Sequence, residues 1–191
     1  MMIHRFIKIC LVLCAAIGVV LTAGAVMAEE PCITNVIITK FQNDTYVYFS
    51  IDDCFTEDME EAINSGISST FVFIIELRQK RAVWPDPVII KKTFTHTIAY
   101  DSLMDEYTVS REEDRTSPLV YETYDEAILA LGQVRFYPLT TLTVLEKGER
   151  YQVRIRSRLE KVEVPESIRY VLFFANLWDF DTGWYVEEFI Y

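Results

Sequence analysis

Glycine is scarce in this chain of 191 residues: there are six, and Gly18 and Gly24 fall within the first 28 positions. The other four, Gly66, Gly132, Gly148 and Gly183, stand apart from one another. No glycine-rich loop exists to bring backbone N–H groups around a phosphate, so the nucleotide-binding motifs are absent. Histidine is scarcer still, with only His4 and His96. Of four cysteines, Cys32 and Cys54 alone lie beyond position 28, and no Cys-x-x-Cys spacing occurs. That inventory does not furnish the usual ligand set of a zinc site and speaks against a redox role. Positive charge is short as well: 18 Lys and Arg face 29 Asp and Glu, for a net charge of −11. A nucleic-acid binder needs a basic face to neutralise phosphates, and this balance excludes that class. Repeats and low-complexity tracts are lacking too, which removes solenoids, collagen-like chains and coiled coils.

The N-terminus has a layout of its own. His4, Arg5 and Lys8 make a short basic start, Ile9 to Ala28 runs without a charge, and Val26-Met27-Ala28 precedes Glu29-Glu30-Pro31. That order describes a secretory signal over residues 1–28, cleaved after Ala28, with a single domain over 29–191. The rival is an uncleaved anchor, because an apolar run of about 20 residues just spans a bilayer. Membrane association would then run through residues 9–28 and hold the domain on the periplasmic side. Ala15, Ala16, Gly18, Ala23, Gly24 and Ala25 make the run less apolar than most anchors. Neither Cys10 nor Cys14 follows the Leu-small-small pattern of a lipoprotein signal. Cleavage removes two of the 18 cations and no acid, leaving a net charge of −13.

Strand signals dominate the rest. Ile33 to Phe41 and Thr45 to Asp53 flank the polar turn Gln42-Asn43-Asp44, and Val47, Phe49 and Ile51 alternate with Tyr48, Ser50 and Asp52. Period two sends one set to a core face. Thr56 is a helix N-cap followed by Glu57, Asp58, Glu60 and Glu61, acids that the helix dipole favours; Met59, Ala62 and Ile63 form the inner stripe and Gly66 stops the helix. Phe71 to Leu77 is apolar on both faces and reads as a central strand. Val88 to Tyr100 is a long strand with Thr93, Thr95 and Thr97 on one face. Glu106 to Arg111 returns from it, and Glu112 to Arg115 is a solvated loop. Thr123-Tyr124-Asp125-Glu126 is a capping box for a second helix closed by Gly132. Arg150 to Val162, Arg169 to Trp178 and Trp184 to Tyr191 complete the strands. The fold class is therefore mainly β: an antiparallel β-sandwich of about eight or nine strands with two short helices, a barrel being the alternative.

Six places could carry chemistry. A hairpin centred on Asn43 pairs residues whose numbers sum to 86, which sets Cys32 opposite Cys54. An exported protein meets an oxidising compartment, so these thiols are a disulfide candidate; two free thiols, or a register shifted by one residue, are the alternatives. His96 shares a face with Phe94 and Ile98. A catalytic histidine needs an orienting acid and a nucleophile, and a packed, hydrogen-bonded strand histidine is the favoured reading. Asp52-Asp53, Glu57 to Glu61 and Glu112-Glu113-Asp114 read first as solvated faces, and no pair among them stands out as glycosidase-like. Asp179-Phe180-Asp181-Thr182-Gly183 starts like a calcium loop, but the glycine comes one place early and no glutamate closes it. Arg154, Arg156 and Arg158 alternate along one strand, near Arg150 and Lys161, and make a positive stripe in an acidic protein. They are the candidate site for an anionic ligand or acidic partner, against pairing with acids on a neighbouring strand. The aromatic ending Trp178 to Tyr185 is either a ligand shelf or a pair of core strands.

Thr70-Phe71, His96-Thr97-Ile98, Tyr170-Val171-Leu172-Phe173-Phe174, Leu177-Trp178-Asp179-Phe180, Thr182, Trp184-Tyr185 and Phe189-Ile190-Tyr191 carry a resemblance. With them the chain resembles a bacterial exported family known as domain of unknown function 4390, over nearly all of residues 29–191. The family pattern has an acid where this chain has Gly183. The resemblance implies an exported protein, periplasmic or membrane-attached, and supplies no activity, cofactor or catalytic residue. The function expected is a non-catalytic exported module that binds an envelope partner or supports the cell envelope. The alternative is an envelope hydrolase working through carboxylates, with His96 as a helper.

Overall fold

In the computed structural model the described residues are 32–114, 117–160 and 180–191. The leader over 1–28, Lys161 and the strand expected at Arg169 to Trp178 lie outside them. Nine strands and two α-helices are present among the described residues: β1 (Ile33–Phe41), β2 (Asp44–Ile51), α1 (Glu57–Asn64), β3 (Ser69–Gln79), β4 (Val88–Asp101), β5 (Glu106–Arg111), β6 (Leu119–Tyr121), α2 (Tyr124–Gly132), β7 (Val134–Thr141), β8 (Arg150–Leu159) and β9 (Tyr185–Ile190). They build a three-stranded sheet in the order β1-β2-β7 and a six-stranded sheet in the order β6-β5-β4-β3-β8-β9. Every pairing is antiparallel. The fold is the expected mainly-β sandwich.

Alternation explains the core between the sheets. Val47, Phe49 and Ile51 of β2 face Phe71, Phe73, Ile75 and Leu77 of β3, and all are buried. Phe49 meets Phe73 with ring centroids 6.0 Å apart, and Tyr137 of β7 stacks on Phe94 of β4 at 4.2 Å. Fully burying a phenylalanine side chain, as at Phe49, Phe73 and Phe94, contributes about 1.5–3 kcal/mol. β3 lies between β4 and β8, and its outer face is sheltered as well, with Val72 9% and Glu76 5% exposed.

The first hairpin departs from the expected register. Phe41 pairs with Asp44 and Ile38 with Val47, a sum of 85 rather than 86. A bulge at Asn35 and Val36, with Asn35 at φ 53°, then shifts the pairing so that Ile33 meets Ile51. Cys32 is therefore level with Asp52, whose N–H donates to the Cys32 carbonyl at 2.9 Å. Cys54 lies past the end of β2, and Asp53, left-handed at φ 58°, turns the chain back to it. The two cysteines are joined by a disulfide with Cα atoms 5.5 Å apart. The two-residue turn Gln42-Asn43 and the bulge, rather than a symmetric three-residue tip, set this geometry.

Both helices start on the caps the sequence names. Thr56 accepts a hydrogen bond from the Met59 N–H at 3.4 Å, and Thr123 accepts from the Glu126 N–H at 3.3 Å. Met59, Ala62 and Ile63 are the buried stripe of α1; Ala127, Leu131 and Gly132 are that of α2. Gly132 is set by proximity, because a Cβ there would stand 2.7 Å from the Ile51 carbonyl oxygen. The end of α2 thus rests directly on the backbone of β2. β6 and β7 were not expected. In β7 the register slips where Arg135 and Phe136 stand opposite Tyr48, and Phe136 at φ 52° turns outward to stack on Tyr46 at 3.8 Å.

Candidate functional site

The starts of α1 and α2 lie side by side at the end of β2. Between them is a cavity of about 430 Å3. Its apolar walls are Ile51, Phe55, Tyr124, Ile128 and Leu129. Its carboxylates are Asp52 and Asp53 from the β2 exit, Glu57 and Glu60 from the first turns of α1, and Asp125 from α2. Helix chemistry puts the acids there, since carboxylates are favoured over the exposed N–H groups of a first turn. Asp52 is held in place, with Oδ2 accepting from the Thr34 hydroxyl and, at 3.5 Å, from Asn35 Nδ2. Among the described residues, none of the other four is in an ion pair. Tyr124 lines the same cavity with a hydroxyl that is buried and has no hydrogen-bond partner. Burial, then the nearby charge of Glu60, pushes that phenol well above its ordinary range, so it stays a neutral donor.

These acids do not form a coordination cage: among the described residues, no three His, Cys, Asp or Glu side chains are grouped to hold a metal ion. They rim an apolar floor instead. The sequence names Asp52-Asp53 and Glu57 to Glu61 only as solvated faces, because the approach of α2 to α1 is not a local property.

The arginine candidates fall elsewhere, on the outer face of the six-stranded sheet. Tyr151, Val153, Ile155 and Ser157 of β8 are buried, so Arg154, Arg156 and Arg158 project from its other side. The Arg156 guanidinium clamps Asp181, with Nε to Oδ1 at 2.7 Å and Nη2 on Oδ2. That bond holds the Asp181 carboxyl below its ordinary range. Asp181 also accepts from the Gly183 N–H, so the turn that starts like a calcium loop spends this carboxylate on an arginine and its own backbone. Arg154 lies over the Trp184 ring at 4.3 Å and Arg156 is 5.7 Å from the same ring. Glu76, opposite Arg154 on β3 and 5% exposed, is bound by Arg78 at 2.7 Å and Lys91 at 3.5 Å. The aromatic ending divides: Phe180 packs on Phe71 in the core and Trp184 seats the arginines.

His96 is wholly buried on β4. Nδ1 lies 2.6 Å from the Leu131 carbonyl oxygen at the end of α2, and Nε2 lies 2.7 Å from Glu113 Oε1. Each ring nitrogen thus has an oxygen of the protein within hydrogen-bond distance. Neither nitrogen faces a nucleophile. Glu112-Glu113-Asp114 is largely the solvated segment the sequence suggests, with Glu112 and Asp114 exposed, but Glu113 is drawn inward. Glu113 serves His96, Glu112 accepts from the Thr95 N–H at 2.9 Å, and Asp114 pairs with Arg111 at 2.6 Å. Burial alone would raise the Glu113 carboxyl; the hydrogen bond and charge of His96 outweigh it and hold the carboxyl below its ordinary range.

The fold and these sites define a two-sheet β domain with a helix-walled acidic groove. Residues 28–188 match the family described as Domain of unknown function (DUF4390), and the chain belongs to it. No curated protein matches the chain, and no solved structure does. Among the described residues, no helix is long and apolar enough to cross a membrane.

Proposed function

We propose that the protein is an exported, non-catalytic binding module of the cell envelope that seats part of a partner in the groove between the starts of α1 and α2. The observation that carries this reading is the groove itself. A cavity of about 430 Å3 with apolar walls and an oriented polar rim has the size and lining of a binding cleft. His96, with both nitrogens engaged by the protein, serves the fold and not a reaction. The basic start, apolar run and Val26-Met27-Ala28 ending support export. Mass spectrometry of the native protein should find Glu29 first, and an intact Met1 on membrane-bound material would replace the signal by an anchor. For the binding reading, a photo-crosslinking side chain is placed at Leu129, 55% exposed on the groove wall, and at Leu103, 94% exposed on the β4–β5 turn. In living cells a discrete adduct should form from position 129 alone. Identical adducts from both positions, or none from 129, would refute the groove as the binding site.

An envelope hydrolase is the second reading, and the five carboxylates gathered in the groove favour it. Purified protein should then release reducing ends or acids from envelope polysaccharide, and Glu60→Gln should abolish the release. Turnover indistinguishable from buffer removes this reading.

A further inference from the structure

We propose that the groove's occupant is a cationic amphipathic peptide segment, a lysine or arginine flanked by aliphatic side chains, contributed by a partner protein. The inference rests on the binding reading and names its partner's chemistry. Ile51, Ile128 and Leu129 offer an apolar floor, and Asp53, Glu57, Glu60 and Asp125 stand around it without a cation of their own among the described residues. An apolar ligand would waste the rim, and a bare cation would leave the floor wet. The acids are also not grouped to hold a metal ion. A flexible cationic side chain on an aliphatic stem matches both features, since lysine and arginine bury their methylenes while the charged head stays among carboxylates.

The full chain, purified, is titrated into three labelled peptides of about twelve residues, the length of a groove-bound segment. One alternates Lys and Leu, one Lys and Ser, one Glu and Leu. The Lys/Leu peptide should bind about tenfold or more tighter than either other, and salt should weaken it as it screens the rim. Because an acidic protein attracts cations everywhere, two charge reversals are compared. Glu57→Lys with Glu60→Lys changes the rim; Glu146→Lys with Glu149→Lys makes the same change before β8, at the other end of the sheet. Only the first should weaken binding, by about tenfold. Leu129→Asn, on an exposed helical position that does not threaten folding, should weaken it several-fold by removing floor. Equal loss from both reversals, or Lys/Ser binding as tightly as Lys/Leu, overturns the proposal. So does spermidine displacing the Lys/Leu peptide at its own Kd, which would point to a polyamine. If the adduct from position 129 persists while no peptide is preferred, the binding reading stands and the partner chemistry falls. If neither is seen, both fall.

Discussion

Glu113 gives the sharpest energetic test, because among the described residues it is the one carboxylate that touches the buried histidine. Glu113→Gln keeps an acceptor within reach of His96 Nε2 and removes the charge. A hydrogen bond to a charged group contributes about 1.5–3 kcal/mol and a neutral one about 0.5–1.5, so the exchange should cost about 1–1.5 kcal/mol. Glu113→Ala leaves a buried N–H without an acceptor and should cost about 2–3 kcal/mol. The site is dry enough for these figures to hold without a discount for solvent, since the His96 side chain is 0% and that of Glu113 16% exposed. The sign of the pH dependence follows from the direction of the shift. The folded-state carboxyl is held below its ordinary 4.5, so its contribution is complete above that value and is lost as pH falls through the lowered one. Wild type and Glu113→Gln should differ near neutral pH and converge in acid. Urea unfolding followed by far-ultraviolet circular dichroism, with equal slopes for both proteins, measures the gap. Equal stability at neutral pH, or a gap that survives undiminished into acid, refutes the argument.

Replacing Cys32 and Cys54 by serine opens a loop closed at a separation of 22 residues and should cost about 3 kcal/mol, read as a fall in urea midpoint; no change would mean the bond contributes nothing to the folded state. Gly132→Ala should lower the melting temperature although alanine is the better helix former, since its Cβ would press on the Ile51 carbonyl; a rise would show that α2 can lift away freely. Arg156→Lys loses the forked hold on Asp181, yet with both side chains about a third exposed it should cost no more than about 0.5 kcal/mol, and a cost above roughly 2 would mark the pair as a structural pin.

Residues that answer to local physics were legible in the sequence. β2 and the alternating face of β4 follow from period two, and Thr56 and Thr123 announce their helices because capping involves only the next three residues. What escaped depends on a deformation or a distant partner. β7 carries a bulge at Arg135 and Phe136 and a proline at 138, which break the alternation that would have marked it. A proline is tolerated there because β7 is hydrogen-bonded through one edge, to β2. β6 spans three residues, too few for any period to show. The hairpin register differs by one at the tip because the chain turns in two residues, and by two at the cysteines because the Asn35 bulge, which leaves no sign in composition, adds a further step. The acids of the groove were visible as residues but not as a site. No local signal says that the first turns of two helices separated by four strands will share one cavity. The Glu113 partner of His96 was hidden the same way, inside a run of charges that ordinarily faces water.

These long-range contacts converge on the groove. The disulfide fixes the exit of β2, from which Asp52 and Asp53 enter the rim. Gly132 lets the end of α2 lie on the Ile51 backbone, and His96 holds the neighbouring Leu131 carbonyl from β4. Phe55, on the groove wall, is itself braced by stacking on Phe180 from the C-terminal segment. The walls therefore come from two stretches of chain, 51–60 and 124–129, both tied down by contacts outside the groove. A cleft so restrained loses little conformational entropy when a ligand enters, which is the physical advantage of preorganisation. It follows that variants weakening these ties, Glu113→Gln among them, should loosen α2 and reduce binding in the groove without touching a single residue that lines it. Binding left unchanged by Glu113→Gln would show that the tie through His96 to the Leu131 carbonyl does not hold the groove in shape.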